Sequence, residues 1–208
     1  MQRPSLQTYG PAATKELEPQ ALVTDVRTLR ALAHPLRNRL LGLLRLHGPS
    51  TATRLGDLVG ESSGSTSYHL RQLAHYGFVE DAGGLGTGRE RWWRARHRMT
   101  SWEDADLAGK EGGAEVRDEM ARLQVDAHGR VLQAWFAQKD GLGAQWLAAA
   151  SLNDYAMRLT PEQARALADE LNVVLGRWLA AHPPQVPAPN AELVSVLLDV
   201  VPLQEWPT

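Results

Sequence analysis

The sequence of 208 residues contains no cysteine. This absence excludes disulfide bonds, zinc sites built from thiolates and cysteine nucleophiles. It fits a reducing cytosol, although it does not define the compartment. The 7 histidines are scattered, and no two of them have the i,i+4 spacing that places a ligand pair on one helix face. We therefore expect no metal site, and the sequence calls for no other cofactor.

Long apolar runs and enzyme motifs are also missing. No stretch approaches the roughly 18 apolar residues of a membrane span, and the N-terminus lacks the apolar core of a signal peptide. There is no Gly-x-Ser-x-Gly elbow and no His-Glu-x-x-His pair. The glycine-rich segment 83–88 resembles a phosphate-binding loop, but a strand-like arginine run follows it where a helix is needed. We expect a cytoplasmic protein with no membrane partner that is not an enzyme.

The net charge of −2 hides a strong asymmetry along the chain. Residues 21–100 carry 12 arginines against 6 acidic residues, whereas residues 101–208 carry 8 basic and 16 acidic residues. A basic half joined to an acidic half predicts that only the first half contacts a polyanion.

Three short helices are predicted between residues 24 and 60. Each begins at a capping residue or a proline, and the second and third end at glycine. The residues that mark these boundaries are Thr24 or Asp25, Pro35, Gly48, Ser50 or Thr51, and Gly60. The third helix and the next one, joined by a tight turn, form a helix-turn-helix.

The fourth helix, at 62–76, is the element around which the chain is organised. Ser62 or Ser63 caps it and Gly77 ends it. Its apolar side packs inward, whereas its outer side is rich in hydrogen-bonding groups and has no acidic residue. The outer residues are Ser65, Tyr68, Arg71, Gln72 and His75. Such a face suits the major groove of DNA, although an ordinary polar solvent face gives the same pattern.

A basic hairpin is predicted to follow this helix. Residues 78–81 and 89–95 can form two strands around a glycine-rich loop, with Arg89 and Arg91 at the edge. This arrangement is typical of a wing that contacts the DNA backbone.

Residues 24–96 carry a set of motifs in a recognisable order. These are Leu32-Ala33-His34-Pro35-Leu36-Arg37, Ser67-Tyr68-His69-Leu70-Arg71-Gln72-Leu73 and Gly77-Phe78-Val79, followed by the arginine-rich wing. Together they resemble the ArsR-like (arsenical-resistance-repressor) family of winged-helix proteins. The resemblance implies a homodimeric transcriptional regulator that reads a near-palindromic operator on double-stranded DNA. It also implies DNA contacts, by position, from Ser63, Ser65, Ser67, Tyr68 and His69, with Tyr68 standing where the family commonly has histidine.

The chain departs from the metal-sensing members of that family. They carry a cysteine pair near the region that corresponds to 53–58, and this chain has none. Asp126 and His128 have the spacing of a C-terminal zinc site in other members, but no second histidine follows within about three turns. We expect His128 to be a surface or packing residue and any regulation to be independent of metal.

A long helix is predicted over residues 114–138. Its apolar positions recur every three or four residues, and a small domain cannot cover a helix of about 35–40 Å alone. We therefore expect it to form a homodimer interface. The residues assigned to this interface are Val116, Met120, Leu123, Ala127 and Val131.

Residues 140–208 are predicted to form a small strand–helix–strand unit. The strands are 151–159 and 193–200, although the second also suits a helix, and the helix begins with Thr160-Pro161-Glu162-Gln163. If the protein has an effector, we expect an organic molecule near Trp135, Trp146 and Trp178, although these side chains can equally be core residues.

The expected fold is mainly α, of the α+β class. It comprises a flexible arm at 1–20, a winged helix-turn-helix domain at 21–98 and a C-terminal dimerisation and effector domain at 99–208. The expected function is that of a DNA-binding regulator, and more specifically a repressor. The alternative is a ligand-binding or protein-interaction module whose winged helix no longer binds DNA.

Overall fold

The computed structural model describes residues 17–85, 90–184 and 189–205. The chain separates into two compact units, Met1–Gln124 and Val125–Thr208. The division lies inside a long helix. Residues 1–16 of the arm predicted at 1–20 lie outside the described residues.

The first unit contains five helices and the start of a sixth, α6, which runs across the boundary. The helices are α1 (Val26–Leu32), α2 (Pro35–His47), α3 (Ala52–Val59), α4 (Ser63–His75), α5 (Asp104–Leu107) and α6 (Gly113–Gln138). The five strands are β1 (Glu18–Leu22), β2 (Ser50–Thr51), β3 (Val79–Asp81), β4 (Trp92–Ala95) and β5 (His97–Ser101).

The boundaries of the first four helices confirm the sequence prediction. The Asp25 side chain accepts a hydrogen bond from the Thr28 amide at 2.8 Å and caps α1. Pro35 begins α2, and the Ser62 hydroxyl caps α4 through the Ser65 amide at 3.1 Å. These side chains satisfy amide groups that have no partner within their own helix.

A three-stranded antiparallel sheet with the order β2-β4-β3 closes one side of the helices. Val79 pairs with Ala95 and Asp81 with Trp93, so β3 and β4 form the predicted hairpin. The predicted second strand, 89–95, is shorter than expected because β4 begins only at Trp92. The short strand β2 was not predicted, because two residues are too few to show the alternating pattern of a strand.

The parallel pair β1–β5 corrects two expectations. Residues 18–20 belong to a strand and not to an irregular arm, and residues 97–112 contain β5 and α5 and not a loose connection. Arg45 of α2 holds β5 in place, because its guanidinium donates to the His97 carbonyl at 3.0 Å and to the Thr100 hydroxyl at 2.7 Å. Burial lowers the pKa of Arg45 to about 10, so the group remains charged at neutral pH.

One hydrophobic core holds the first unit together. It contains the inward faces of α1 to α4, the sheet residues Phe78, Val79 and Trp93, and the beginning of α6. Leu29, Leu40, Leu70 and Leu73 are completely inaccessible to solvent. Side chains buried to this extent each contribute about 1.5–3 kcal/mol, so α4 is fixed firmly on its support.

The second unit contains the end of α6, a single 3-10 turn (Lys139–Gly141) and the helices α7 (Ala144–Ala149) and α8 (Pro161–Ala181). The start of α8 confirms the prediction, because Thr160 and Gln163 form a reciprocal capping box. The predicted strands at 151–159 and 193–200 are absent from the described structure, where both segments run without regular secondary structure. A strand needs a neighbour, and neither segment has a described one. The helical alternative for 193–200 is absent as well. No described helix is long and apolar enough to cross a membrane.

Candidate nucleic-acid interface

Helices α3 and α4 form a tightly packed helix-turn-helix. Gly60 adopts the left-handed conformation at φ 75° and ends α3, after which the Glu61 amide donates to the Gly56 carbonyl at 2.9 Å. Gly56 of α3 lies close to the first turn of α4. A Cβ on it would lie 2.6 Å from the Glu61 carbonyl oxygen and 3.2 Å from Thr66 Oγ1. The turn therefore depends on the absence of a side chain at this position.

The buried face of α4 contains Thr66, Leu70 and Leu73. These three side chains are fully enclosed, and they fix the rotation of the helix about its axis. The rotation determines which residues point outward. The sequence predicted this face correctly from its helical period.

The outward face of α4 carries most of the predicted DNA-contact residues. Ser63, Tyr68 and Arg71 are exposed, whereas Ser65, Ser67, His69 and Gln72 are half-buried. Tyr68 is 54% exposed, so its ring and hydroxyl are accessible to a partner. Helix α4 has no acidic residue, so nothing on it repels phosphate.

His69 differs from the other predicted contact residues because it contacts α2. Its ring lies 4.5 Å from that of His34, centroid to centroid, and 5.1 Å from that of Tyr68. Burial, followed by the nearby His34 and Arg37, lowers the pKa of His69 below 6.5, so the ring is neutral at pH 7. His69 therefore acts by packing against Tyr68 and the start of α2, and not by presenting a charge.

The wing arginines are engaged within the protein. Arg91 lies 2.7 Å from Asp81 and 4.2 Å from the centre of the Trp93 ring. Arg94 contacts Glu80 at 2.6 Å, and Arg96 contacts Glu18 at 3.4 Å and Glu80 at 3.8 Å. From the sequence, these arginines were expected to form a basic surface. The ion pairs with carboxylates that offset their positive charge could not be predicted. Arg89 lies outside the described residues.

Two basic residues near α4 were missed from the sequence. The first turn of α2 places His34 and Arg37 beside His69, and the backbone amide of Leu36 donates to His34 Nδ1 at 3.2 Å. The His34-Pro35 pair was visible in the sequence as a helix boundary and as part of a family motif, but not as a neighbour of α4. Its proximity to α4 depends on the packing of α2 against α4.

The residues assigned to a dimer interface divide into two groups. Val116 and Met120 are 1% and 6% exposed and belong to the core of their own chain, so they are not available to a partner. Leu123 packs partly against that core. Ala127 is half-buried, and Val131 is 37% exposed. The apolar residues in the first turns of α6 thus pack into the core of the first unit. Only those in its later turns remain available for another contact.

Neither the suggested zinc ligand nor the tryptophans form a ligand site in the described structure. His128 Nδ1 lies 2.8 Å from a carboxylate oxygen of Asp199. No group of three or more metal-ligating side chains is found among the described residues. Trp135 meets Phe136 edge to face, and Trp178 stacks on His182 at 5.2 Å while remaining 65% exposed. Trp178 is therefore not a core residue of a single chain.

Comparison with known proteins identifies the same region. Residues 32–82 match the family described as a helix-turn-helix domain. The match begins at the end of α1 and includes α2, α3, α4 and β3. No curated protein matches the chain. Helix-turn-helix domains bind DNA in transcriptional regulators, and the match therefore supports a winged helix-turn-helix regulator that binds DNA.

Proposed function

We propose that this protein is an ArsR-like transcriptional regulator that binds a near-palindromic operator as a homodimer. Helix α4 enters the major groove, the wing contacts the backbone beside it, and the second unit joins two chains. The expected action is repression, and no metal ion is required for binding.

The observation that carries this proposal is the contrast between the two faces of α4. Its inner face is completely buried, so the helix is rigid. Its outer face holds Tyr68, Arg71 and Gln72, whose side chains can donate hydrogen bonds to base edges and phosphates. Arg71 is exposed and forms no ion pair with any described residue, so its charge is available to DNA. An ordinary solvent-exposed helix can also have a polar outer face, so binding of DNA through these side chains is what the experiment must test.

The wing contributes less to DNA binding than its arginine content suggests. Arg91 must leave Asp81 or share its charge with that carboxylate when it approaches a phosphate. Exposed ion pairs of this kind contribute about 0–1 kcal/mol, so DNA can compete for the arginine. We therefore assign sequence reading to α4 and weak anchoring to Arg91.

A salt titration of DNA binding tests this assignment. An operator is first selected from random duplexes. The affinities of the parent and of five variants for this operator and for a random duplex are then compared. Tyr68→Ala and Gln72→Ala should each cost about 1–3 kcal/mol at the operator and little on random DNA. Arg71→Ala should weaken binding to both and reduce the salt slope by about one. Arg177→Ala of α8, which removes the same charge from the second unit, is the control and should change neither.

The expected effect of the wing is separate. Arg91→Ala should reduce both affinities by the same factor, and by less than Arg71→Ala. Loss of operator preference in Arg91→Ala, with preference retained in Tyr68→Ala and Gln72→Ala, would place the reading element in the wing and overturn the assignment.

A second function is favoured by the pairing of the wing arginines. A winged helix whose basic residues are held by Asp81, Glu80 and Glu18 can serve as a protein-interaction or ligand-binding module. The same titration separates the two functions. If the protein shows no salt-dependent retention on duplex DNA even at about 50 mM salt, the module is the better description.

A further inference from the structure

The second unit buries none of its described side chains. Between residues 125 and 205, every described residue is either exposed or half-buried, and all buried hydrophobic residues of the described chain lie at or before Met120. The exposed apolar residues include Leu152, Tyr155, Met157, Leu193, Val194, Val196 and Val201. A stable globular unit of this size normally encloses a core of its own. Within the described residues of the second unit, nothing covers these side chains.

Two segments of this unit have no regular secondary structure, although their sequences alternate like strands. Residues 151–159 and 192–200 contain no helix or turn, and no described backbone group forms a hydrogen bond with either. Runs of unpaired amide and carbonyl groups are strand edges, and a strand edge is completed by another strand. Leu193, Val194, Val196 and Val200 place apolar groups on both sides of the second segment. That pattern is typical of a strand covered on both faces.

The occupant that fits these segments is a second copy of this chain. A copy supplies the same unpaired edges and the same uncovered apolar residues, so one two-fold axis satisfies both chains at once. The charges of the first segment agree with this arrangement. If residues 151–159 pair antiparallel with their own copy about Ala156, Asp154 lies opposite Arg158 on both sides of the axis. Opposite charges in such positions favour the pair.

The position of the second segment is consistent with the same interface. His128 of α6 lies 2.8 Å from Asp199 and holds the C-terminal segment against the exposed part of α6. Leu197 and Leu198 are half-buried there, while Val194 and Val196 remain outside. The segment is thus partly covered around residues 197–198 and exposed at residues 193–196.

We propose that residues 151–159 and 192–200 form the strands of a sheet that only a second copy completes. This deepens the homodimer within the proposed function and rests on it. The main contact between chains is thereby assigned to these two segments, and the later turns of α6 lie beside them.

The test combines solution mass with amide exchange on the full chain. At micromolar concentration the parent should have twice the 22.9 kDa mass of one chain, and the amides of both segments should exchange at least about tenfold more slowly than unpaired amides. Val196→Asp should weaken the dimer at least about tenfold and abolish the protection. Leu22→Asp is the matched control, since Leu22 is 61% exposed against 63% for Val196 but lies in β1 of the first unit. It should leave mass and protection unchanged.

The charge pair is tested by exchange of its two members. Asp154→Arg alone should weaken the dimer, and the double variant Asp154→Arg with Arg158→Asp should restore it. A dimer whose segments are unprotected, or a monomer at all micromolar concentrations, would overturn the proposal. Operator binding measured on the same samples separates the two ideas. DNA binding by a monomer would refute the strand pairing and the homodimer but not the DNA-binding regulator, whereas a protected dimer that does not bind DNA would refute only the regulator.

Discussion

The two units of this chain differ in whether one chain buries their apolar side chains. The first unit encloses a core that reaches from Val23 to Met120, and in its three-stranded sheet β4 pairs with both β2 and β3. The second unit has long helices and good caps, but none of its described side chains is buried. Helix α6 belongs to both units: it is buried at Val116 in the first and exposed at Val125 and Phe136 in the second.

This difference indicates a division of tasks. A reading helix needs a rigid support, because the positions of its outer side chains decide which base edges they reach. A dimerisation element needs an uncovered surface, because buried area between chains provides much of the stability of an obligate dimer. In the proposed function, the first turns of α6 support the reading unit and its later turns belong to the dimer contact.

The largest effect on the first unit is expected at Gly56 of α3, where an added Cβ would meet the Glu61 carbonyl oxygen and the Thr66 side chain. An alanine Cβ would clash with the Glu61 carbonyl oxygen at 2.6 Å, and backbone cannot move as easily as a flexible side chain. Gly56→Ala should lower the free energy of unfolding by about 1–3 kcal/mol, measured by urea denaturation, and should also weaken operator binding.

Gly42→Ala provides the control for that substitution. Gly42 lies within α2, and a Cβ added there would have no neighbouring atom within 4 Å. Alanine at this position should stabilise the helix by up to about 1 kcal/mol. Equal effects of the two substitutions would show that α3 and α4 are not closely packed, and the contrast between the units would lose its basis.

A smaller effect is expected from pH, and it arises from burial in the first unit. The pKa of His69 is lowered below 6.5 mainly by burial, then by His34 and Arg37, while Glu61 acts in the opposite direction. The unfolded chain therefore binds more protons than the folded one below about pH 6.5, and stability falls as pH decreases through that range.

Thermal unfolding between pH 7.5 and pH 5 checks this expectation. His69→Gln should lose less stability over that range than the parent, because it lacks the titrating ring. His75→Gln, on the exposed side of the same helix, should follow the parent. Burial also lowers the pKa of His47 and His97, so part of the pH dependence should remain in His69→Gln. An unchanged slope in His69→Gln would contradict the assignment.

The sequence predicted local features well, because they depend on neighbouring residues. Asp25, Pro35, Thr51, Ser62 and Thr160 begin helices through interactions within one turn, and periodicity identified the buried face of α4. The boundaries of α1 to α4, α6 and α8 could therefore be placed within about a residue.

Features that depend on distant partners could not be predicted. The pairing of β1 with β5 joins residues about 80 positions apart, and no local pattern marks it. The ion pairs of Arg91 and Arg94 also depend on strand register. The strands expected at 151–159 and 193–200 have the correct alternation but no described partner, and alternation alone does not form a sheet.

The central claim is that one chain completes the reading unit whereas two chains are needed for the second unit and for the operator. Native mass spectrometry of the protein on a selected operator duplex tests it most directly. We expect a complex of one duplex with two 22.9 kDa chains, and loss of one chain in Val196→Asp but not in Leu22→Asp. A parent complex that contains a single chain on the complete operator would contradict the claim.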